Sequence, residues 1–173
     1  MSILIREIQP RDNAAIAQII RQVLTEFGAN RPGFAWSDPE LDHLAQAYAP
    51  DGCVYYVATA GDRVVGGVGI APFECEHPCT CELQKMYLLP AYRGQGIGQR
   101  LMTTVLTAAD GLGYHACYLE TLDAMTRAVR FYEAFGFEAL PTPLGQSGHT
   151  SCNRFYFRKL PFRPAPVLDR AIG

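Results

Sequence analysis

Residues 89–101 read LPAYRGQGIGQRL, and this stretch decides the fold prediction. It follows an apolar, strand-like run and opens an apolar-periodic helix. A glycine-rich turn between a strand and a helix is typical of a site for an anionic phosphate, because the unpaired N–H groups of the helix N-terminus and the helix dipole both favour negative charge. Glycine also lets a ligand approach the backbone closely, since it has no Cβ. The stretch therefore predicts a phosphate-binding loop.

Two common phosphate motifs do not fit this loop. A Walker loop requires Gly-Lys-Ser/Thr, whereas Gly98 is followed by Gln99 and Arg100. A dinucleotide fingerprint requires a G-x-G-x-x-G spacing, whereas Gly94, Gly96 and Gly98 form G-x-G-x-G. Both nucleotide-binding classes are therefore set aside.

What the loop does match is Arg-x-x-Gly-x-Gly, at Arg93, Gly96 and Gly98. This motif resembles the pyrophosphate loop of the GNAT N-acetyltransferase superfamily, Gln/Arg-x-x-Gly-x-Gly/Ala. The resemblance implies that loop amides hold the pyrophosphate of acetyl-CoA, used as a co-substrate, while Arg93 and Arg100 add charge-assisted contacts. The alternative is that the glycines merely make a turn. The loop residues expected to bind the co-substrate are Arg93, Gly94, Gln95, Gly96, Ile97, Gly98 and Gln99.

Length, charge and the N-terminus limit the class of protein. A chain of 173 residues predicts one domain, over residues 1–160, followed by a proline-rich tail with little fixed structure, 161–173. The formal net charge of −2 provides no basic footprint for nucleic acid. Charged residues come too early for a signal peptide, and no apolar run is long enough for a membrane helix. We therefore expect a cytoplasmic protein with reduced cysteines and no membrane partner.

Hydrophobic periodicity and turn signals predict the element order β-α-α-β-β-β-α-β-α-β-β. Strands mixed with helices indicate an α/β fold with a mixed, α+β-type sheet. The same order resembles the GNAT fold, which implies a mostly antiparallel central sheet flanked by helices. A second helix is expected to begin at the capping box Ser37-Asp38-Pro39-Glu40, with Leu41, Leu44, Ala45 and Tyr48 on its inner face. The strands are expected at 3–8, 53–60, 63–71, 80–89, 114–121, 137–140 and 151–160.

The strand before the loop resembles the fourth strand of the GNAT fold. The resemblance implies that its backbone splays from its neighbour and pairs with the amides of the pantetheine arm at Met86, Tyr87 and Leu88. It also places Glu82 where the histone-acetylating branch of the superfamily has a catalytic glutamate, so that Glu82 is the candidate general base. Partial burial would raise its pKa toward the useful range. The alternatives are an ordinary strand-edge glutamate or a partner for a charged substrate.

Tyr132 is the candidate general acid. Residues 128–137 resemble the family's Ala-x-x-x-Tyr-x-x-x-Gly-Phe segment, whose tyrosine faces the cofactor sulfur and donates its phenolic proton to the thiolate. The alternative is a core aromatic residue, since Tyr132 lies on the apolar stripe of its helix. The family often has asparagine three residues before the alanine, whereas this chain has Met125.

Three other sequence patterns give weaker indications of a functional site. Cys75, His77, Cys79 and Cys81 are the residue types of a zinc site, but their spacing fits no standard pattern, so we predict a hairpin turn without metal. The run of residues 66–69, Gly-Gly-Val-Gly, suggests a bulge or a close backbone approach within a strand.

His149 and Cys152 are residue types of a nucleophile and its base, but no third, orienting group stands at a readable spacing. A histidine of the last strand facing a loop is the favoured interpretation.

The leading hypothesis is an acetyl-CoA-dependent N-acetyltransferase in which a primary amine attacks directly within a ternary complex. Two alternatives stay open: a non-catalytic acyl-CoA sensor on the same fold, and a cysteine-dependent hydrolase. The acceptor is a small molecule or a peptide amine, and a homodimer is possible. An acidic and aromatic rim that suits a cationic amine is expected from Glu26, Arg31, Phe34, Trp36, Asp38, Glu40, Asp42, Glu74, Glu76 and the loop 141–150.

Overall fold

The computed structural model describes residues 2–161, whose regular elements are one sheet of seven strands and four α-helices. The predicted tail, apart from Pro161, lies outside these residues. The strands are β1 Ile3–Glu7, β2 Val54–Ala60, β3 Arg63–Phe73, β4 Thr80–Leu88, β5 Ala116–Thr121, β6 Glu138–Leu140 and β7 Arg154–Lys159. The helices are α1 Asn13–Glu26, α2 Leu44–Ala47, α3 Ile97–Gly111 and α4 Thr126–Ala134.

The sheet has the order β1-β2-β3-β4-β5-β7-β6. Every neighbouring pair is antiparallel except β4 and β5, which are parallel. Helix α1 packs against β3 and β4, and α3 packs against β2 and β3. The predicted mixed fold, with a mostly antiparallel sheet flanked by helices, is therefore confirmed, and the strand ends lie within three residues of the expected ones.

The apolar faces of α1 and α3 supply much of the core. Ile16 and Ile20 of α1 and Leu101 of α3 are fully buried, as their helical spacing predicts, and Met102 of α3 is buried beside them. Helix α1 ends before Gly28, whose φ of +68° closes the turn at no steric cost. Among residues 2–161, no helix combines the length and the apolar character that crossing a membrane requires.

The predicted second helix is wrong in extent. The segment forms two short 3-10 turns, Ala35–Ser37 and Leu41–His43, before the single turn of α2. Asp38 does not cap a helix, because its carboxylate binds side chains of other elements. The cap of α2 comes instead from Asn13, whose Oδ1 accepts from the Ala45 amide at 2.8 Å. The expected inner face is nevertheless largely right, since Leu41, Leu44 and Tyr48 are buried and Ala45 is half-buried.

The end of the chain also differs from the prediction. The last strand begins at Arg154, so His149 lies in the preceding loop and not in a strand. The backbone of this loop meets the segment between α1 and α2, where the Ser151 amide donates to the Gly33 carbonyl. The loop is thereby brought over the centre of the sheet.

Candidate active site

A cavity of about 640 Å³ opens where β4 and β5 separate. The two strands pair only over Thr80–Glu82 of β4, although β4 continues to Leu88. Most of the predicted site residues line this cavity: Glu82, Met86, Tyr87, Leu88, Arg93, Gly94, Gly96, Gly98, Gln99 and Tyr132. Two predicted residues lie differently: Gln95 turns its amide back onto the Ala91 carbonyl at 2.8 Å, and Ile97 is buried.

The glycine loop forms one wall of the cavity. Gly94 and Gly96 have φ of +74° and +77°, which side chains rarely tolerate, and Gly96 is the N-cap of α3. The first intrahelical bond of α3 runs from the Arg100 amide to the Gly96 carbonyl, so the amides of residues 97–99 are free of intrahelical partners. The loop therefore presents the helix N-terminus that an anionic group favours.

Of the two arginines expected near a phosphate, one lines the cavity. The Arg93 guanidinium forms a two-pronged ion pair with Glu26, at 2.7 and 2.8 Å, and its Nε donates to the Leu88 carbonyl. Arg100 reaches in another direction, to the Ile3 carbonyl of β1. Glu26, expected on the acceptor rim, thus lies beside the glycine loop instead.

Strand β4 presents an unpaired edge to the cavity. Lys85 has a φ of +51°, and the β3–β4 register shifts between Gly67 and Gly69, so β4 bulges at this point. The Tyr55 hydroxyl donates to the Lys85 carbonyl at 2.8 Å and supports the bulge. Past Glu82, the edge of β4 that faces β5 is free of strand pairing, and it can accept an extended ligand that carries amides.

Glu82 lies at the point where β4 and β5 part. It is 4% exposed, and burial raises the pKa of its carboxyl to about 7. Gln84 opposes this effect, because its Nε2 donates to Glu82 Oε2 at 2.5 Å. A carboxyl with a pKa near neutrality exchanges protons readily at physiological pH.

Tyr132 faces the same cavity from α4 and is buried. Burial raises the pKa of its phenol, so the hydroxyl keeps its proton at neutral pH. Within residues 2–161, the structure gives this hydroxyl no hydrogen-bond partner, which leaves it able to donate to a ligand. Met125, at the N-cap of α4, also lines the cavity and places a thioether where the family often has an amide.

A second polar cluster beside Glu82 was missed from the sequence. The Lys85 ammonium, on a side chain only 3% exposed, binds Asp38 at 2.7 Å and Glu40 at 3.0 Å. His149 Nε2 lies 3.1 Å from the same Asp38 carboxylate, which raises the pKa of the imidazole. One signal was available: Lys85 breaks the period-two alternation that places Glu82 and Gln84 on one face, as a bulge does.

Cys152 lines the cavity but is poorly suited to act as a nucleophile. Burial raises the pKa of its thiol to about 12, so it is protonated at neutral pH. The nearby His149 ring is engaged by Asp38. The protonated thiol weighs against the cysteine-dependent hydrolase, whereas the Asp38–His149 contact, of the kind that orients a catalytic histidine, does not.

The cysteine-rich hairpin is separate from this site. Cys81 is buried in β4 with its sulfur against the Ala116 carbonyl, and Cys75 contacts the His77 carbonyl. Over residues 2–161, no three histidine, cysteine or acidic side chains converge in a way that could hold a metal ion.

Comparison with known proteins agrees with this geometry. The model of the acetyltransferase (GNAT) family matches residues 17–137. An Escherichia coli K12 protein, the uncharacterized N-acetyltransferase YjgM, is 41% identical over 158 residues, which cover 91% of this chain and 95% of the relative.

Solved structures share the fold at lower identity. A GNAT-family acetyltransferase from Staphylococcus aureus Mu50 superposes with a TM-score of 0.81 at 24% identity, covering 92% of this chain and 100% of that structure. The yncA protein of Salmonella typhimurium, solved with its cofactor acetyl-CoA, superposes with a TM-score of 0.73 at 20% identity, covering 96% of this chain and 98% of the other. With its family model, its curated relative and its fold in agreement, this chain belongs to the GNAT acetyltransferase family.

Proposed function

We propose that this protein transfers the acetyl group of acetyl-CoA to a primary amine, with Glu82 as general base and Tyr132 as general acid. The observation that carries the proposal is one cavity lined by the glycine loop, the unpaired edge of β4, Glu82 and Tyr132. The structural relative solved with acetyl-CoA supports the identity of the acyl donor.

The residues present suit such a donor. The free amides at the start of α3 would receive the pyrophosphate, and the open edge at Met86, Tyr87 and Leu88 would pair with the pantetheine amides. Acetyl-CoA, when bound, supplies an acetyl group activated as a thioester.

The two ionisable groups divide the proton transfers between them. Glu82, as a carboxylate, accepts a proton from the acceptor nitrogen, which forms a bond to the acetyl carbon. Tyr132 donates its phenolic proton to the sulfur as the carbon–sulfur bond breaks, and it is then reprotonated from solvent. Glu82 returns its proton to solvent, and the products are an amide and a free thiol, so atoms and charges balance without an acyl-enzyme.

A panel of primary amines incubated with acetyl-CoA, followed by thiol release, tests the proposal. At least one amine should be acetylated, and Glu82→Gln should lower kcat by about 100-fold or more, the range of general-base catalysis. Tyr132→Phe should lower kcat by roughly 100-fold, the lower end of general-acid catalysis, while acetyl-CoA still binds. If every amine is inert although acetyl-CoA raises Tm, the chain is an acyl-CoA sensor and the proposal fails.

The pH dependence follows from the pKa of about 7 for Glu82. The base must be ionised, so kcat/KM should rise with pH, pass a midpoint near 7 and level off, apart from a second limb due to the acceptor ammonium. Glu82→Gln should abolish the limb near pH 7 and retain that of the acceptor. A limb near pH 7 that persists in Glu82→Gln would assign the base to another group.

A further inference from the structure

The glycine-rich run of β3 makes room for a tyrosine above the sheet. Gly69 is paired with Tyr55 of β2 on one side and with Gln84 of β4 on the other. A Cβ on Gly69 would lie 2.6 Å from ring atoms of both Tyr48 and Tyr55. The missing side chain therefore allows the Tyr48 ring to lie over β3, within reach of Gln84.

Tyr48 begins a hydrogen-bond chain that ends on the candidate base. Its hydroxyl donates to Gln84 Oε1 at 2.7 Å, and Gln84 Nε2 donates to Glu82 Oε2 at 2.5 Å. Tyr48 is 7% exposed, so water has little access to the start of the chain. The second carboxylate oxygen, Glu82 Oε1, has no hydrogen-bond partner in the part of the chain that the structure describes, and it is the oxygen left to receive a proton.

The donor-to-acceptor direction of these two hydrogen bonds favours the ionised form of the Glu82 carboxyl. Because the Tyr48 hydroxyl donates to the amide carbonyl, the NH2 group of Gln84 must face Glu82. An N–H donor stabilises an ionised carboxylate. Turning the amide over would direct its NH2 at the Tyr48 hydroxyl and deprive that buried proton of its acceptor, which is unfavourable.

We propose that Gln84, held in a single orientation by Tyr48, is a positioning residue that keeps Glu82 ionised and determines which carboxylate oxygen receives the proton of the acceptor. The inference rests on the proposed role of Glu82 as base. Burial of Glu82 and the nearby Glu120 carboxylate act in the opposite direction, whereas His149 and Lys85 act in the same direction as Gln84. The network thus helps to set the pH at which the enzyme becomes active.

The first test compares pH profiles of kcat/KM for wild type, Gln84→Met and Tyr48→Phe. Gln84→Met removes the donor at similar length, and its midpoint should rise by about one pH unit or more, the tenfold effect expected for a hydrogen bond to a charged group. Tyr48→Phe should shift the midpoint less, in the same direction. Both variants should recover most of their activity at alkaline pH, whereas merely structural damage would lower the plateau and leave the midpoint in place.

The matched control is Tyr114→Phe. It also removes a phenolic hydroxyl that donates a 2.7 Å hydrogen bond, here to the Gly52 carbonyl, and Tyr114 does not line the cavity. Its midpoint should equal that of wild type. Should Gln84→Met fold poorly, Tyr48→Phe keeps the aromatic ring and carries the test alone.

The second test titrates the Glu82 carboxyl by carbon-13 NMR in the free enzyme, which requires no turnover. The midpoint should rise in Gln84→Met and Tyr48→Phe and stay constant in Tyr114→Phe. Unchanged carboxyl midpoints in both network variants overturn the inference. A shifted carboxyl midpoint with an unshifted rate profile shows that Glu82 is not the base, and it overturns that part of the proposed function together with the kinetic role of Gln84.

Discussion

At Glu82, opposing effects act on one carboxyl group. Burial beside the diverging strands and the nearby Glu120 carboxylate raise its pKa, while the hydrogen bond from Gln84 and the positive charges of His149 and Lys85 lower it. The balance leaves its pKa at about 7, where a carboxyl can both accept a proton and release it. The same balance implies that the protein is less stable when Glu82 is ionised.

This cost in stability is measurable as a function of pH. The pKa of Glu82 rises from 4.5 in the unfolded chain to about 7 in the fold, so the folded state binds the proton more tightly and is weakened as pH rises through this range. Glu82→Gln carries no such charge. Its free energy of unfolding, relative to wild type, should therefore increase by at most about 3 kcal/mol between pH 4.5 and pH 8.

Urea unfolding of the two proteins at both pH values measures this difference. Glu138→Gln is a suitable control, because Glu138 is an exposed residue of β6 that does not line the cavity. A difference between wild type and Glu82→Gln that does not change with pH would show that Glu82 titrates normally.

At the scale of an element, the glycines of β3 are explained by the side chains that pack against this strand. Gly67 and Gly69 lie under the rings of Tyr55 and Tyr48, and a Cβ at either position would come within 2.6 Å of a ring atom. The glycine-rich run is similar in sequence to a phosphate motif, but its glycines instead leave the space in which two aromatic rings pack. The sequence prediction of a close backbone approach or a bulge was right on both counts.

Gly69→Ala tests this role. The added methyl group must displace two buried rings, which should lower the free energy of unfolding by about 1–3 kcal/mol. Gly111→Ala is the matched control, because a Cβ there meets nothing within 4 Å and alanine is the better helix former, so stability should be unchanged or higher. Thermal unfolding of both variants measures these changes in stability. An unchanged stability of Gly69→Ala would show that the two rings can move aside at little cost in free energy.

At the scale of the whole molecule, the sheet consists of two parts joined by a short seam. Strands β4 and β5 pair at only three positions, from Thr80 with Ala116 to Glu82 with Tyr118. Beyond this seam the edge of β4 is open to the cavity and to exchange with solvent. A ligand that pairs with this edge would complete the hydrogen bonding of the sheet.

Acetyl-CoA should therefore protect specific amides. Hydrogen-exchange mass spectrometry should show slower exchange in residues 86–88 and in the glycine loop, 94–99, with little change in β1 and β2. At a concentration 100 times Kd, the ligand should stabilise the fold by about 2.7 kcal/mol and raise Tm. Protection spread evenly over the sheet, or confined to another surface, would contradict this binding mode.

Local patterns were enough to predict the order of the elements, because helical periodicity and glycine turns act over a few residues. The resemblance of short motifs to the GNAT family added the family itself and the candidate site residues Glu82 and Tyr132, both of which line the cavity. The extent of the second helix could not be predicted in this way, since Asp38 binds Lys85 and His149, which are remote in sequence.

The protonation of Glu82 was likewise decided by folding. Its burial, its contact with Gln84 and the packing of Tyr48 against Gly69 depend on residues from the end of α2, from β3 and from β4. Short motifs specify which groups are present, but the pKa of a group depends on solvent exclusion and on neighbours that meet only when the sheet has formed.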